Sequence, residues 1–342
     1  MTFSKKLFSL SKAQKRIWYK VRLQENERGI GLVYALRGHL IVERLEKALF
    51  ELVEDHRIFK SVIYQDGHRL ERVVKKEIIG ELQYIDALNS DQIKNISVTI
   101  EQLLQTDLNL MQGPLFRFYL VCENEDLHQL VLIVHPIIIS RGALRTFVKQ
   151  ISHYYNKQFV NYNNKETTSD LVMFEDILSQ EEAYLKTDAY RDGLLHWVNT
   201  LKANEFYFGL PIKKSFKEMY YENNRIDFSL NRNENKLFYN YLSSQKVSAY
   251  AVLMAVYQSL LFRYSQKEDI IVSYSFPNTY SDSQASLGCV DNKVHCRTFF
   301  TGNERFTDLV RDLSFRLDCD GFYKSVPLTD IVRMVRDKFS KK

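Results

Sequence analysis

Apolar residues recur along the chain at intervals that predict both helices and strands. Between 42 and 55 they lie three or four residues apart, which is typical of an amphipathic helix. The run 127–139 is almost wholly apolar and β-branched, which predicts a central strand buried on both faces. Similar patterns predict strands at 31–37, 115–121, 223–230 and 269–275, a hairpin at 58–63 and 68–74, and helices at 13–18 after an N-cap at Ser11, 144–155, 176–201, 248–264 and 306–317.

A polar segment divides these elements into two groups. Residues 156–170 lack periodicity and are the predicted linker. The order on each side is strand, helix, strand, so we predict an α/β fold with two domains of similar size, 1–165 and 166–342. The length of 342 residues agrees with this division, because it is too long for one ordinary core.

Composition and charge exclude several classes of protein. Hydrophobic residues make up 45% of the chain and charged residues 26%, as in globular proteins, and the net charge of +5 permits an acidic partner without requiring one. The four cysteines form no CxxC pair and have no histidine at zinc spacing, so we expect reduced thiols and no metal. No signal peptide, membrane-spanning run or nucleic-acid motif is recognised. We therefore expect a cytoplasmic protein without membrane or nucleic-acid partners.

Seven short segments, in order along nearly the whole chain, carry a resemblance to a known family. They are LSKAQKRIW at 10–18, DHRIFKS at 55–61, DLNLMQGPLFR at 107–117, FED at 174–176, EDIIVSYSFPN at 268–278, LGCVDN at 287–292 and VPL at 326–328. Their types and order are similar to the motifs of nonribosomal peptide synthetase condensation domains, a branch of the chloramphenicol-acetyltransferase-like superfamily.

The resemblance implies a particular architecture and a particular set of partners. It implies two acetyltransferase-like lobes in a V arrangement, with carrier proteins delivering thioesters on phosphopantetheine arms and with other synthetase domains nearby. The domain would need no cofactor of its own. The family continues beyond the VPL segment, whereas this chain stops at Lys342, so we expect an incomplete second lobe. An incomplete lobe would expose the edge of a sheet, and a second copy of the chain could pair with that edge to form a homodimer.

The family's active-site motif, HHxxxDG, is altered in this chain. The segment reads VHPIIISRG, so His135 matches the first histidine, but Pro136 replaces the second, to which the family assigns catalysis. Proline has no titratable group and no backbone N–H. The position of the motif's acid is taken by Ser140, or by Arg141 if one residue is inserted before Gly142. The base and the acid that the family uses are therefore both missing.

Two further interpretations concern this altered motif. In the family the motif's aspartate pairs with an arginine of the RHxxLRT segment, and the equivalent positions here are Arg141 and Asp55. We predict an ion pair with the charges exchanged. His135 could also replace the missing base if the end of its strand were shifted, although a histidine inside an apolar strand is more often a packed core residue.

Three functions follow from the resemblance. The chain could be a condensation enzyme that forms an amide or ester between carrier-bound acyl groups, with a rate lowered by the missing base. It could be a binding module that retains carrier-protein or partner-enzyme binding and has lost the chemistry. It could also be an acyltransferase acting on free acyl donors, which would need the same histidine. The missing residues favour the binding module.

Overall fold

The structure is a computed structural model that describes residues 7–23, 29–67, 69–88, 95–159, 173–202, 228–276 and 287–339. Within these ranges the chain forms a mixed α/β fold, as predicted. The strands are Leu7–Ser9 (β1), Ile30–Arg37 (β2), Ser61–Asp66 (β3), Arg69–Val74 (β4), Leu82–Asp86 (β5), Phe116–Asn124 (β6), Leu127–Val134 (β7), Asp269–Phe276 (β8) and Asn292–Phe299 (β9). The helices are Lys12–Arg22 (α1), Val42–Asp55 (α2), Ile96–Leu104 (α3), Leu144–Asn156 (α4), Phe174–Tyr184 (α5), Asp188–Thr200 (α6), Arg232–Gln245 (α7), Ala249–Ser265 (α8), Phe306–Gly321 (α9) and Leu328–Phe339 (α10).

A four-stranded sheet forms the centre of the first compact unit, with the strand order β2-β7-β6-β5. β7 lies inside the sheet and pairs antiparallel with both of its neighbours, which confirms the predicted central strand. Its alternate side chains enter two apolar clusters, because successive residues of a strand point to opposite faces. Leu132 packs into the larger cluster, which contains residues of α2 and α4, and Ile133 packs into the smaller one beside α3.

A second sheet of the first unit contains the predicted hairpin. β3 and β4 pair antiparallel from Ser61 opposite Val74 to Asp66 opposite Arg69, and β1 extends the sheet on the other side of β4. Gly67 has φ of 55° between the two strands, a backbone angle that glycine adopts without strain. Glycine therefore occupies the position where the turn between the two predicted strands requires this backbone angle.

The second compact unit has a smaller core. β8 and β9 form a two-stranded sheet, and the apolar cluster beside them takes residues from both strands, from α8 and from α9. The fully buried members include Ala255, Ile270, Cys296 and Val310. Within the described ranges, no helix combines the length and apolar character needed to cross a bilayer.

Three predicted elements differ from the structure, and one lies outside the described residues. The strand predicted over 127–139 ends at Val134, and residues 135–139 form a turn outside the sheet. The prediction was too long because the isoleucines of this turn are as apolar and as buried as the strand. The helix predicted over 176–201 is two helices, α5 and α6, which are separated after Tyr184. The part of the 223–230 strand that is described, residues 228–230, has no regular structure. Most of the predicted linker lies outside the described ranges.

The two compact units have bounds that differ from the expected domains. The first comprises Met1–Thr187 and Phe276–Asn292, and the second comprises Asp188–Ser275 and Lys293–Lys342. The first unit extends past residue 165 because α5 buries Phe174 and Ile177 in its core. The V arrangement and the incomplete second lobe stay predictions.

Candidate functional site

The segment that resembles HHxxxDG forms a tight buried turn directly after β7. The backbone N–H of His135 donates to the carbonyl of Leu115 at 2.9 Å. The carbonyl of His135 accepts from the N–H groups of Ile138 at 3.0 Å and Ile139 at 3.4 Å. His135 is therefore the residue at which the chain leaves the sheet and turns toward α4.

The imidazole of His135 also takes part in this turn. Its Nδ1 accepts a hydrogen bond from the backbone N–H of Ile137 at 3.1 Å, and the residue is only 3% exposed. A ring nitrogen that accepts a hydrogen bond carries no proton, so the neutral imidazole holds its proton on Nε2. The lone pair of the neutral ring then faces Ile137, and the ring can take up a proton only by giving up that hydrogen bond.

The other positions of the motif supply backbone contacts and no titratable acid. Pro136 is half-buried, and Arg141 and Gly142 are exposed. Ser140 is buried, its Oγ accepts from the N–H of Ala143 at 3.3 Å, and its own N–H donates to the carbonyl of Gly288 at 3.1 Å. Ser140 thus caps the short 3₁₀ turn Arg141–Ala143 and ties it to the Gly288 loop.

The structure does not bring Asp55 and Arg141 together as predicted. The Asp55 carboxylate accepts from the Tyr154 hydroxyl at 2.6 Å, and no ion pair joins it to Arg141 in the part of the chain that the structure describes. Both residues are exposed, and Asp55 is the last residue of α2, which packs on α4. Burial and the hydrogen bond to Asp55 raise the pKa of Tyr154, so this hydroxyl remains a donor at neutral pH.

The start of α1 connects the turn after β7 to the loop that begins at Gly288. Ser11 and Gln14 form a reciprocal capping box, which the sequence predicted only as an N-cap at Ser11. The Gln14 amide also donates to the carbonyl of Ile137 at 2.9 Å, and the Ser11 hydroxyl donates to the carbonyl of Cys289 at 2.8 Å. Two motif segments that are far apart in sequence are thereby fixed to the same helix terminus.

Gly288 allows a fourth motif segment to approach this turn. A Cβ atom at Gly288 would overlap the ring of Phe174, the first residue of α5 and of the FED segment. The motifs at 10–18, 134–142, 174–176 and 287–292 therefore converge in the first unit. The contacts of Ser11, Gln14, Ser140 and Gly288 that join them are backbone hydrogen bonds and close packing.

Outside this turn, two histidines of the described residues lie in other surroundings. His56, in the DHRIFKS segment, is buried beside Phe59, and burial lowers the pKa of His56. Among the described residues, His, Cys, Asp and Glu side chains form no group of three that could hold a metal ion. Sequence reasoning missed a hydrogen bond between Ser273 and His295 in the second unit, although both positions lie on strands that follow one another along the chain.

Comparison with known proteins agrees with the order of the motifs. The model of the condensation domain family matches residues 4–342. One of the plipastatin synthases of Bacillus subtilis (strain 168) is 24% identical over 312 residues, which cover 90% of this chain and 12% of that protein. Surfactin synthase subunit 1 of the same organism is 23% identical over 335 residues, which cover 96% of this chain and 9% of that protein. The chain thus spans about a tenth of the length of these relatives.

Solved structures show the same fold. The first condensation domain of the calcium-dependent antibiotic synthetase, in complex with a substrate analogue, superimposes with a TM-score of 0.77 at 17% identity, over 96% of this chain and 78% of that one. The X-domain from teicoplanin biosynthesis superimposes with a TM-score of 0.75 at 17% identity, over 98% of this chain and 75% of that one. From its matching family model and its fold, the chain belongs to the condensation domain family.

Proposed function

We propose that this chain acts in nonribosomal peptide synthesis as a binding module that holds carrier proteins or partner enzymes and has lost efficient condensation. The observation that carries the proposal is Pro136, which occupies the position of the family's catalytic histidine. Its ring can neither accept a proton nor donate a backbone hydrogen bond. The phosphopantetheine arms would belong to the partners, and a cytoplasmic location is part of the same proposal.

The hydrogen bond of His135 supports the loss of chemistry. Its Nδ1 lone pair is directed at the N–H of Ile137, inside a turn whose three isoleucines are fully buried. Taking a proton from an attacking amine would require breaking that contact and placing a charge among apolar side chains. General-base catalysis is worth about 10²–10⁴-fold, and this turn offers no other group to supply it.

A structural neighbour supports binding as the remaining activity. The X-domain from teicoplanin biosynthesis has been solved as a complex with OxyB, so in that protein this fold holds another protein. That complex superimposes on this chain with a TM-score of 0.76 over 98% of the chain. The positive net charge of +5 would favour an acidic partner such as a carrier protein, with an effect that salt weakens.

The experiment combines a condensation assay with a binding assay. Donor and acceptor carrier proteins, loaded on their phosphopantetheine arms, are mixed with the wild-type chain and the product is followed by mass spectrometry. We expect product at the uncatalysed rate, together with saturable binding of loaded carriers in a fluorescence anisotropy titration. Carriers lacking the arm are the matched control for the binding measurement.

Two variants separate this proposal from the alternative of an active condensation enzyme. His135→Asn places a side-chain oxygen close to the position of Nδ1, so it keeps an acceptor for Ile137 and removes the base. If the wild-type chain forms product and His135→Asn does not, His135 acts as a base and the proposal is wrong. Pro136→His tests whether restoring the histidine restores product. Absence of carrier binding to the folded wild-type chain would also count against the proposal.

A further inference from the structure

One face of the two-stranded sheet in the second unit carries two polar pairs. The Ser273 hydroxyl on β8 lies 2.8 Å from Nδ1 of His295 on β9, and the Lys293 ammonium donates to the Ser275 hydroxyl at 2.6 Å. The pairing advances in opposite directions on the two strands, as in an antiparallel ladder. Residues two apart share a face, so an exposed serine, a histidine and a lysine are neighbours here.

The imidazole of His295 is buried, and only one of its two ring nitrogens has a hydrogen-bond partner within the described residues. The residue is 8% exposed, and the ring of Trp197 on α6 meets it edge to face at 5.8 Å between centroids. Its Nε2 makes no hydrogen bond within the described part of the chain. A buried polar atom without a partner is costly. Within the described residues, Nε2 of His56 and Nδ1 of His128 also have no partner, so the feature particular to His295 is its contact with an exposed serine hydroxyl.

The electrostatic surroundings keep this ring neutral. Burial lowers the pKa of His295 to about 4, the carboxylate of Asp320 on α9 partly opposes that change, and the Lys293 charge adds to it. The Asp320 carboxylate itself lies 3.0 Å from Nε2 of His196. At neutral pH, His295 is therefore an uncharged ring whose Nδ1 faces a serine hydroxyl that solvent can reach.

We propose that Ser273 is a nucleophile that takes an acyl group from an activated ester or thioester, with Nδ1 of His295 accepting its proton. As the serine oxygen bonds to the acyl carbon, the carbon–sulfur or carbon–oxygen bond of the donor breaks and His295 passes the proton to the leaving thiolate or alkoxide. Water then attacks the serine ester, which releases the carboxylic acid and returns the proton to Ser273. No oxidant, reductant or metal takes part.

This site is separate from the proposed function in the first unit. All of its residues belong to the second compact unit, whereas the turn at His135 belongs to the first. The binding of carrier proteins can therefore fail while Ser273 is acylated, and the reverse can also occur.

The experiment treats the intact chain with p-nitrophenyl acetate and with the acetyl thioester of N-acetylcysteamine. Released nitrophenolate gives the rate, and peptide mapping by mass spectrometry locates the acetyl group. We expect acetylation at Ser273, its loss in Ser273→Ala, and no change in Ser275→Ala, which removes the neighbouring hydroxyl on the same face. His295→Gln should slow acetylation by about 100-fold, as expected for removal of a general base.

The pH profile distinguishes this site from simple reaction of exposed hydroxyls. A base that protonates near pH 4 predicts a rate that is level from about pH 5.5 to 8 and falls below about pH 4. Uncatalysed attack would instead rise with pH throughout. A wild-type chain without acetyl-Ser273, an equal rate in His295→Gln, or acetyl groups spread over lysines and other serines would each overturn the proposal. If a variant does not fold, peptide mapping of the acetylated wild-type chain alone tests whether Ser273 is the acetylated residue.

Discussion

The Arg72 guanidinium on β4 donates to the Glu175 carboxylate on α5 at 2.8 Å from a fully buried position. Arg72 also donates to the Ser61 hydroxyl, and its charge lies over the rings of Phe8 and Phe174. Burial lowers the pKa of Arg72, and Glu175 partly opposes this. This ion pair joins α5 to the three-stranded sheet. It helps to explain why residues beyond 165 belong to the first unit.

Removing the acid should therefore destabilise the first unit strongly. Glu175→Ala leaves a buried guanidinium without its counter-charge, which typically costs about 3–5 kcal/mol. Urea denaturation measures the change in the free energy of unfolding. Arg69→Met is the matched control, because Arg69 lies on the same strand but is exposed, and we expect a change within about 0.5 kcal/mol. Equal costs for the two variants would show that the buried pair contributes little.

The capping box of α1 gives a second prediction. Gln14→Leu keeps a side chain of similar size but leaves both the Ser11 N–H and the Ile137 carbonyl without the partners that the amide supplies. Each unsatisfied buried group costs about 1–3 kcal/mol, so the midpoint of thermal unfolding should fall. Arg22→Ala, at an exposed position in the last turn of the same helix, should leave the midpoint nearly unchanged. Equal midpoints for Gln14→Leu and the wild type would contradict the role of this contact.

The sequence predicted much of the fold and little of the chemistry of its contacts. Periodicity found α2, α8 and β7, because burial on one face or two leaves a local pattern. It missed the end of β7, since Ile137, Ile138 and Ile139 are as apolar as the strand before them. Motif order located the altered motif at His135, but its partners Gln14 and Gly288 are distant in sequence, and no local pattern predicts their contacts with it.

Gly288 supports a third prediction. Gly288→Ala places a methyl group against the ring of Phe174, and overpacking of this kind costs about 1–3 kcal/mol. Gly321→Ala is the control, because Gly321 lies in α9 with open space around its Cα, and alanine there should be neutral or slightly stabilising. The measured quantity is the free energy of unfolding in urea. Recovery of stability in the double variant Gly288→Ala with Phe174→Leu would confirm that the clash with the ring is the cause.

Acid should destabilise the chain through His295. Its pKa is about 4 in the folded state and about 6.5 when unfolded, so the unfolded state binds more protons between these values. Stability is therefore complete above about pH 6.5, falls as the pH decreases, and the loss is finished near pH 4, with an amplitude of roughly 3 kcal/mol.

His295→Gln should flatten the dependence of unfolding free energy on pH between about 6.5 and 4, because glutamine does not titrate. His39→Gln, at an exposed position of the first unit, is the control and should keep the wild-type slope. Urea titrations at steps of half a pH unit give the slopes, and comparing slopes removes any constant cost of losing the Ser273 contact. An unchanged slope in His295→Gln would mean that this imidazole has the same pKa in the folded and unfolded chain, which would contradict burial as the cause of a lowered pKa.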